Sequence, residues 1–133
     1  MGLLIQSKSP VDGTCLIFDD DDRVAYAYIE KSGKCVADVW LYNVASAPET
    51  PEWEKGPEAM PFLNPKAYID QKEFIRPLNK SDIAVRWKIE EKDVAVAGIY
   101  IHNKLHAVLR SDKSPGKSLL AKCEGPLAYP LLD

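Results

Sequence analysis

Six of the ten prolines in the chain fall between Pro48 and Pro77. Each removes a backbone donor, so this stretch cannot supply an interior strand, and any sheet must come from the segments on either side. Those segments alternate. Thr14-Cys15-Leu16-Ile17-Phe18, Arg23 to Glu30 and Cys35 to Tyr42 are rich in β-branched and aromatic residues. They are bounded by the run Asp19 to Asp22, by Ser32-Gly33 and by Asn43, which is the punctuation of an antiparallel meander. After the prolines, Ile83 to Ile89, Val94 to Ile101 and Leu105 to Leu109 repeat the plan, with turns expected near Glu91-Lys92 and at His102-Asn103. Val85, Trp87 and Ile89 alternate with Ala84, Arg86 and Lys88, so that strand has one apolar and one wet face.

The expected fold is therefore a single mainly β domain of 133 residues. A first antiparallel meander spans 14–43, a proline-rich connection 44–79, a second meander 81–110 and a tail 111–133. Six or seven strands would form a sandwich or one strongly curved sheet. Laying Val24 to Val39 over Val94 to Leu109 without a gap gives six identities in sixteen positions and superposes Ser32-Gly33 on His102-Asn103. An internal duplication would produce this match, and so would the narrow residue alphabet of alternating strands.

The connection carries Trp53, Met60, Phe62, Leu63, Tyr68, Ile69, Phe74 and Ile75, enough apolar area to predict that it packs over a sheet face. Asn64-Pro65 has the form of a helix start, with Asn64 as N-cap and Pro65 in the first turn. Ser114-Pro115-Gly116 ahead of Lys117-Ser118-Leu119-Leu120-Ala121 has the same form, so one or two short helices are expected.

Hydrophobic residues make up 46% and charged residues 28% of the chain, the balance of a folded domain rather than a disordered tail. A net charge of −3 gives no footprint for a phosphate backbone, so nucleic acid is not expected as a partner. No apolar run approaches the roughly 20 residues that span a bilayer. Met1 to Lys8 is too short and wrongly flanked for a signal peptide, and the expectation is a cytoplasmic protein without membrane partners. Cys15, Cys35 and Cys123 show neither a disulfide framework nor zinc spacing. They are read as small buried hydrophobes.

No residue pattern points to catalysis, a metal or a cofactor. The run Asp19-Asp20-Asp21-Asp22 lacks the glycine and terminal Glu of a calcium loop and reads as a solvated turn. His102 and His106 flank a turn rather than share a helix face, and no cysteine or carboxylate is placed by sequence to complete a metal site with them. A cysteine nucleophile with a histidine base has only residue type behind it. Ser114-Pro115-Gly116-Lys117-Ser118 ends like a phosphate loop but lacks its upstream glycine.

The aromatic residues of the first meander are more informative. A three-residue loop that paired Ile29 with Ala37 would put Ala25, Ala27, Ile29, Ala37, Val39 and Leu41 on one face and Tyr26, Tyr28, Asp38, Trp40 and Tyr42 on the other. A two-residue loop would change the register and mix the two faces. The second set is large and amphipathic and carries a carboxylate, as a protein interface or ligand pocket does, unless the proline-rich connection simply covers it.

Asp38 to Asn43, Pro48 to Trp53 and Gly125 to Ala128 resemble segments of a family of small bacterial β-rich proteins. The resemblance implies no activity and no site residues. Small acidic proteins of this type include toxin-neutralising immunity proteins, which is an analogy of class. The leading expectation is a non-enzymatic protein-binding domain, of the immunity type, that presents Asp19, Asp20, Asp21, Asp22, Asp38, Trp40, Tyr42 and Trp53 to a basic partner. The alternative is a small-ligand-binding domain with its pocket between a sheet and the proline-rich connection.

Overall fold

The alternating segments pair into two sheets, seen in a computed structural model that describes residues 2–11 and 13–131. The first sheet has the order β1 (Leu3–Lys8), β2 (Thr14–Asp20), β3 (Val24–Lys31), β4 (Lys34–Asn43), antiparallel throughout. The second runs β5 (Ile83–Glu90), β6 (Val94–Ile101), β7 (Lys104–Arg110), β8 (Lys113–Ser118) and the short β9 (Tyr129–Pro130), antiparallel apart from the β8–β9 pair. The sheets form a sandwich in which β4 lies against β7 and β8. Trp87 on β5 donates its indole N–H to Ser7 on β1 at 2.9 Å. Among the described residues no helix is long and apolar enough to cross a membrane.

The core comes from the alternation. Leu16 and Phe18, Ala27 and Ile29, and Ala37 and Val39 from the first sheet enclose one side of it, and Ala97, Ile99, Ala107 and Leu109 from the second enclose the other, all at most 2% exposed. Small residues on the central strands β3 and β6 let the sheets approach, while Phe18, Ile29, Ile99 and Leu109 fill the space between.

Three strands lie beyond the expected meanders, the short β9 in the tail among them. β1 precedes the first, and β8 occupies the place where Ser114-Pro115-Gly116 suggested a helix. Pro115 is tolerated because it falls in the irregular part of the β7–β8 pairing, between Val108 and Arg110, where no ladder donor is needed. Gly116 is required there for another reason. A Cβ on it would stand 2.6 Å from the Val108 carbonyl oxygen and 3.0 Å from the Val39 Cβ. In the connection, short 3-10 turns form at Glu52–Lys55, Pro57–Ala59 and Lys66–Tyr68. Asn64 does not cap the last of these. Pro65 takes the cap position, and Asn64 is buried with its backbone N–H on the Asn43 side chain at 3.0 Å.

The first meander turns through two residues, Ser32 and Gly33, rather than three, with φ of 53° and 81°. The expected pairing of Ile29 with Ala37 is nevertheless present, because Val36 bulges out of β4 and restores the register. The second meander has the same geometry. His102 and Asn103 turn with φ of 51° and 65°, Ile99 pairs with Ala107, and His106 is the bulged residue. The likeness of the two hairpins thus includes turn and bulge, but it stops there. Leu16 pairs with Ile29 on β2, whereas Arg86, the residue that the same offset would bring to Ile99, pairs with Gly98.

A further bulge in β4 corrects the expected faces. Tyr26 pairs with Trp40 and Ala25 with Tyr42, so Leu41 is surplus. The extra residue turns Tyr42 from the outer face to the inner one, where its ring lies 6.5 Å from that of Phe18.

Gly116→Ala is expected to destabilise the fold by about 1–3 kcal/mol, because the clash is with backbone and a packed valine rather than a flexible tip. A lower midpoint in urea unfolding would show it. An unchanged midpoint would mean that β8 does not lie against Val39.

Candidate functional site

The acidic run is not uniformly solvated. Asp20, the last residue of β2, points inward and is 2% exposed. It accepts two hydrogen bonds from the Arg76 guanidinium at 2.9 Å each and one from the Tyr42 hydroxyl at 2.7 Å. Its Oδ1 also accepts from the backbone N–H of Asp22 at 2.9 Å. Burial pushes the Asp20 carboxyl upward, but the Arg76 and Tyr42 hydrogen bonds outweigh it and hold the pKa below the usual carboxylate range. Burial and then the Asp20 carboxylate push the Tyr42 hydroxyl well above its ordinary value. Arg76 also reaches Asp22 at 2.7 Å. These groups tie the end of the proline-rich connection to the first sheet.

The rest of the connection covers part of the outer face of that sheet. Tyr26 donates its hydroxyl to the Phe62 carbonyl at 2.7 Å, and Trp40 donates its indole N–H to Asn43 Oδ1 at 2.8 Å. Asn43 in turn donates to the Asn64 carbonyl at 2.9 Å. Arg23 forms an ion pair with Glu52, whose other oxygen accepts the Leu63 N–H at 2.7 Å. The Trp53 ring packs edge-on against Tyr68 at 5.4 Å. Trp40 and Tyr42, at 0% and 1% exposure, are core residues with no surface to offer a partner.

The connection stops short of the other half of this face. Register places Gln6, Ile17, Tyr28 and Asp38 in one row across the four strands, beside Leu4 and Asp19 of the next row. Leu4 is 65% exposed, and Ile17, Asp19, Tyr28 and Asp38 are half-buried. The Tyr28 ring stacks on Tyr26 at 5.9 Å, joining the open half to the covered one. Burial first, and then Asp19 and Asp38, raise the Tyr28 hydroxyl to about 12. Asp19 itself is raised, by burial and then by repulsion from Asp21 and Asp20. Among the described residues no cation lies within ion-pair distance of Asp19. Asp38 accepts from the Ser114 hydroxyl at 2.8 Å. The open half is therefore an apolar centre of Leu4, Ile17 and Tyr28 with carboxylates around it.

The remaining reactive side chains are dispersed. Cys35 and Cys123 are exposed and Cys15 is half-buried, against the expectation of buried thiols: Cys35 sits beside the hairpin tip on the outer face, beyond the reach of the connection. His102 is exposed at its turn, 3.8 Å from Asp82. His106 is 2% exposed and its Nε2–H donates to the Leu41 carbonyl at 2.7 Å. Burial lowers its pKa to about 4, so the imidazole is neutral at pH 7. Among the described residues no three His, Cys, Asp or Glu side chains are grouped to hold a metal ion.

A concavity of about 310 Å³ lies at one end of the first sheet, beside Gln6, Lys8 and Cys15, and two others lie elsewhere. One of about 390 Å³ is bounded by Phe74 and Ile75 of the connection and by His102, Lys104 and His106. A larger one, about 530 Å³, runs over the outer face of the second sheet. Its cations are spread over three strands, and only strand pairing could have grouped them.

Asp20→Asn is expected to cost about 3 kcal/mol at neutral pH, toward the low end for breaking a buried pair because Arg76 keeps some solvent contact. The folded-state pKa of Asp20 lies below its unfolded value near 3.9, so its contribution is present above that value and is lost as pH falls through the folded pKa. The stability difference between wild type and Asp20→Asn should accordingly shrink below about pH 4 in urea unfolding. A difference independent of pH would contradict the ion pair. No protein-family model, curated protein or solved structure matches this chain.

Proposed function

We propose that this chain is a non-enzymatic protein-binding domain that holds a basic partner on the open half of the first sheet's outer face. In its most specific form it is an immunity-type inhibitor working in the bacterial cytoplasm. One observation carries the reading. Asp19 is partly desolvated and crowded by Asp20 and Asp21, with no cation among the described residues within ion-pair distance, beside the exposed Leu4 and the half-buried Ile17 and Tyr28. A partner's Lys or Arg at this point would relieve the repulsion, and its apolar surface would cover Leu4 and Tyr28, which together make the apolar centre and polar rim of a specific interface. Asp21 is exposed beside it, and Asp38 flanks Tyr28 from the other side. Of the residues that sequence alone nominates for this role, Asp19, Asp21, Asp22 and Asp38 keep surface beside the open half, and Trp53 is half-buried in the connection, packed on Tyr68.

The buried imidazole of His106 is committed to the Leu41 carbonyl, which further supports a binding rather than a catalytic role. A second reading, small-ligand binding where a sheet meets the proline-rich connection, has in its favour the 390 Å³ concavity beside Phe74. A ligand there would be reported by a thermal shift against a metabolite library, abolished in Ile75→Trp.

The test of the leading reading is affinity capture from the source bacterium with wild type and with an Asp19→Lys/Asp38→Lys variant, followed by titration of the purified partner. The expected result is a basic protein whose affinity falls more than about tenfold in the variant and declines with salt. Equal binding by both, or salt-independent binding, would contradict it.

A further inference from the structure

The second sheet carries a site of its own, independent of the acidic face. Register sets Arg86, Gly98, Val108 and Lys117 in one row across β5, β6, β7 and β8. The next row is Lys88, Val96, Arg110 and Lys113. On the outer face β6 and β7 thus present a glycine, two valines and, toward one end, Arg110, while β5 and β8 raise long cationic side chains on both sides. The result is a trough of about 530 Å³ with an apolar floor, a size typical of small-molecule sites. Its lining carries five cations and one carboxylate, Glu90, within a chain whose net charge is −3.

The cations are unequally occupied. Arg110 is held by Glu90 at 2.6 Å and Asp112 at 3.0 Å, and Lys88 lies 3.4 Å from Glu90. Arg86 rests over the Tyr100 ring at 4.8 Å. No carboxylate among the described residues lies within ion-pair distance of Arg86, Lys113 or Lys117. Like charges facing one another across an apolar floor favour an occupant that is both anionic and apolar.

We propose that this trough binds a small amphiphilic anion, a single alkyl chain bearing a carboxylate or phosphate, with its chain along Gly98, Val96 and Val108 and its head between Arg86 and Lys117. A polynucleotide fits less well, because the aliphatic floor offers no open aromatic face for bases: the Tyr100 ring is already covered by Arg86.

Octyl phosphate is the probe, titrated by NMR into the full chain with inorganic phosphate, octanol and a single-stranded oligothymidine as comparisons. Octyl phosphate should shift the Gly98 and Lys117 resonances and bind at least about tenfold more tightly than phosphate or octanol alone, more weakly at high salt. Gly98→Val is the decisive variant. A Cβ there meets the Leu105 and Tyr100 side chains at 3.4 Å and the Arg86 carbonyl oxygen at 3.8 Å, all ordinary contacts, so the fold should tolerate it while the floor fills and binding is lost. Lys117→Glu should weaken binding at least about tenfold. Equal affinity for octanol, tighter binding of the oligonucleotide, or full affinity in a folded Gly98→Val would each overturn the proposal. None of these results bears on the acidic face, whose variants lie on the other sheet.

Discussion

The architecture depends on one carbonyl. Leu41 is surplus to the pairing of β4 with β3, so its carbonyl drops out of the ladder inside the sandwich, where an unmatched acceptor would be costly. The donor is His106, itself the surplus residue of β7, with the Ser118 hydroxyl a second donor at 3.4 Å. A bulge in one sheet is therefore satisfied by a bulge in the other. Neither irregularity is a defect, because each supplies what the other lacks, and among the described residues every buried side-chain nitrogen and oxygen has a partner.

The placement of Tyr42 follows from that bulge. Turned inward, it meets Asp20, and the carboxylate it shares with Arg76 fastens the far end of the proline-rich connection. The near end is fastened by Arg23 to Glu52 and by Asn43 to Asn64. Between these anchors the connection covers Tyr26 and Trp40 and leaves Leu4, Ile17, Tyr28, Asp19 and Asp38 open. The apolar and acidic surface of the first sheet is thus what remains outside the reach of the connection. The outer face of the second sheet has no such cover over Gly98 and Val108, and β5 and β8 on either side of them carry the opposite charge.

Much of this was legible in the sequence. Alternation located six of the strands, β2 to β7, the prolines located the connection, and the apolar residues within it predicted that it would cover a sheet face. The pairing of Ile29 with Ala37 was also legible, although by a different route from the loop that suggested it. The rest was hidden for definite reasons. A bulge leaves no mark in an alternating segment, so alternation alone puts Tyr42 on the outer face. Pro115 and Gly116 look like breakers until β8 is seen to need one in an irregular register and the other against Val39. Asp20 looks like its three neighbours, and only its partner Arg76, far along the chain, distinguishes it. The trough was invisible because Arg86, Lys113 and Lys117 are brought together by hydrogen-bonded strands and not by spacing.

The contact between the two bulges can be read directly from the ionisation of His106. Site-resolved NMR of the imidazole across pH should find it neutral, protonated on Nε2 and titrating near 4. Below the unfolded value of about 6.5 the fold should lose stability as pH falls toward that point, because the depressed pKa means that the folded state resists the proton. Titration of His106 near 6.5, or the proton on Nδ1 alone, would contradict the account, since a solvated or reversed imidazole could not satisfy the Leu41 carbonyl.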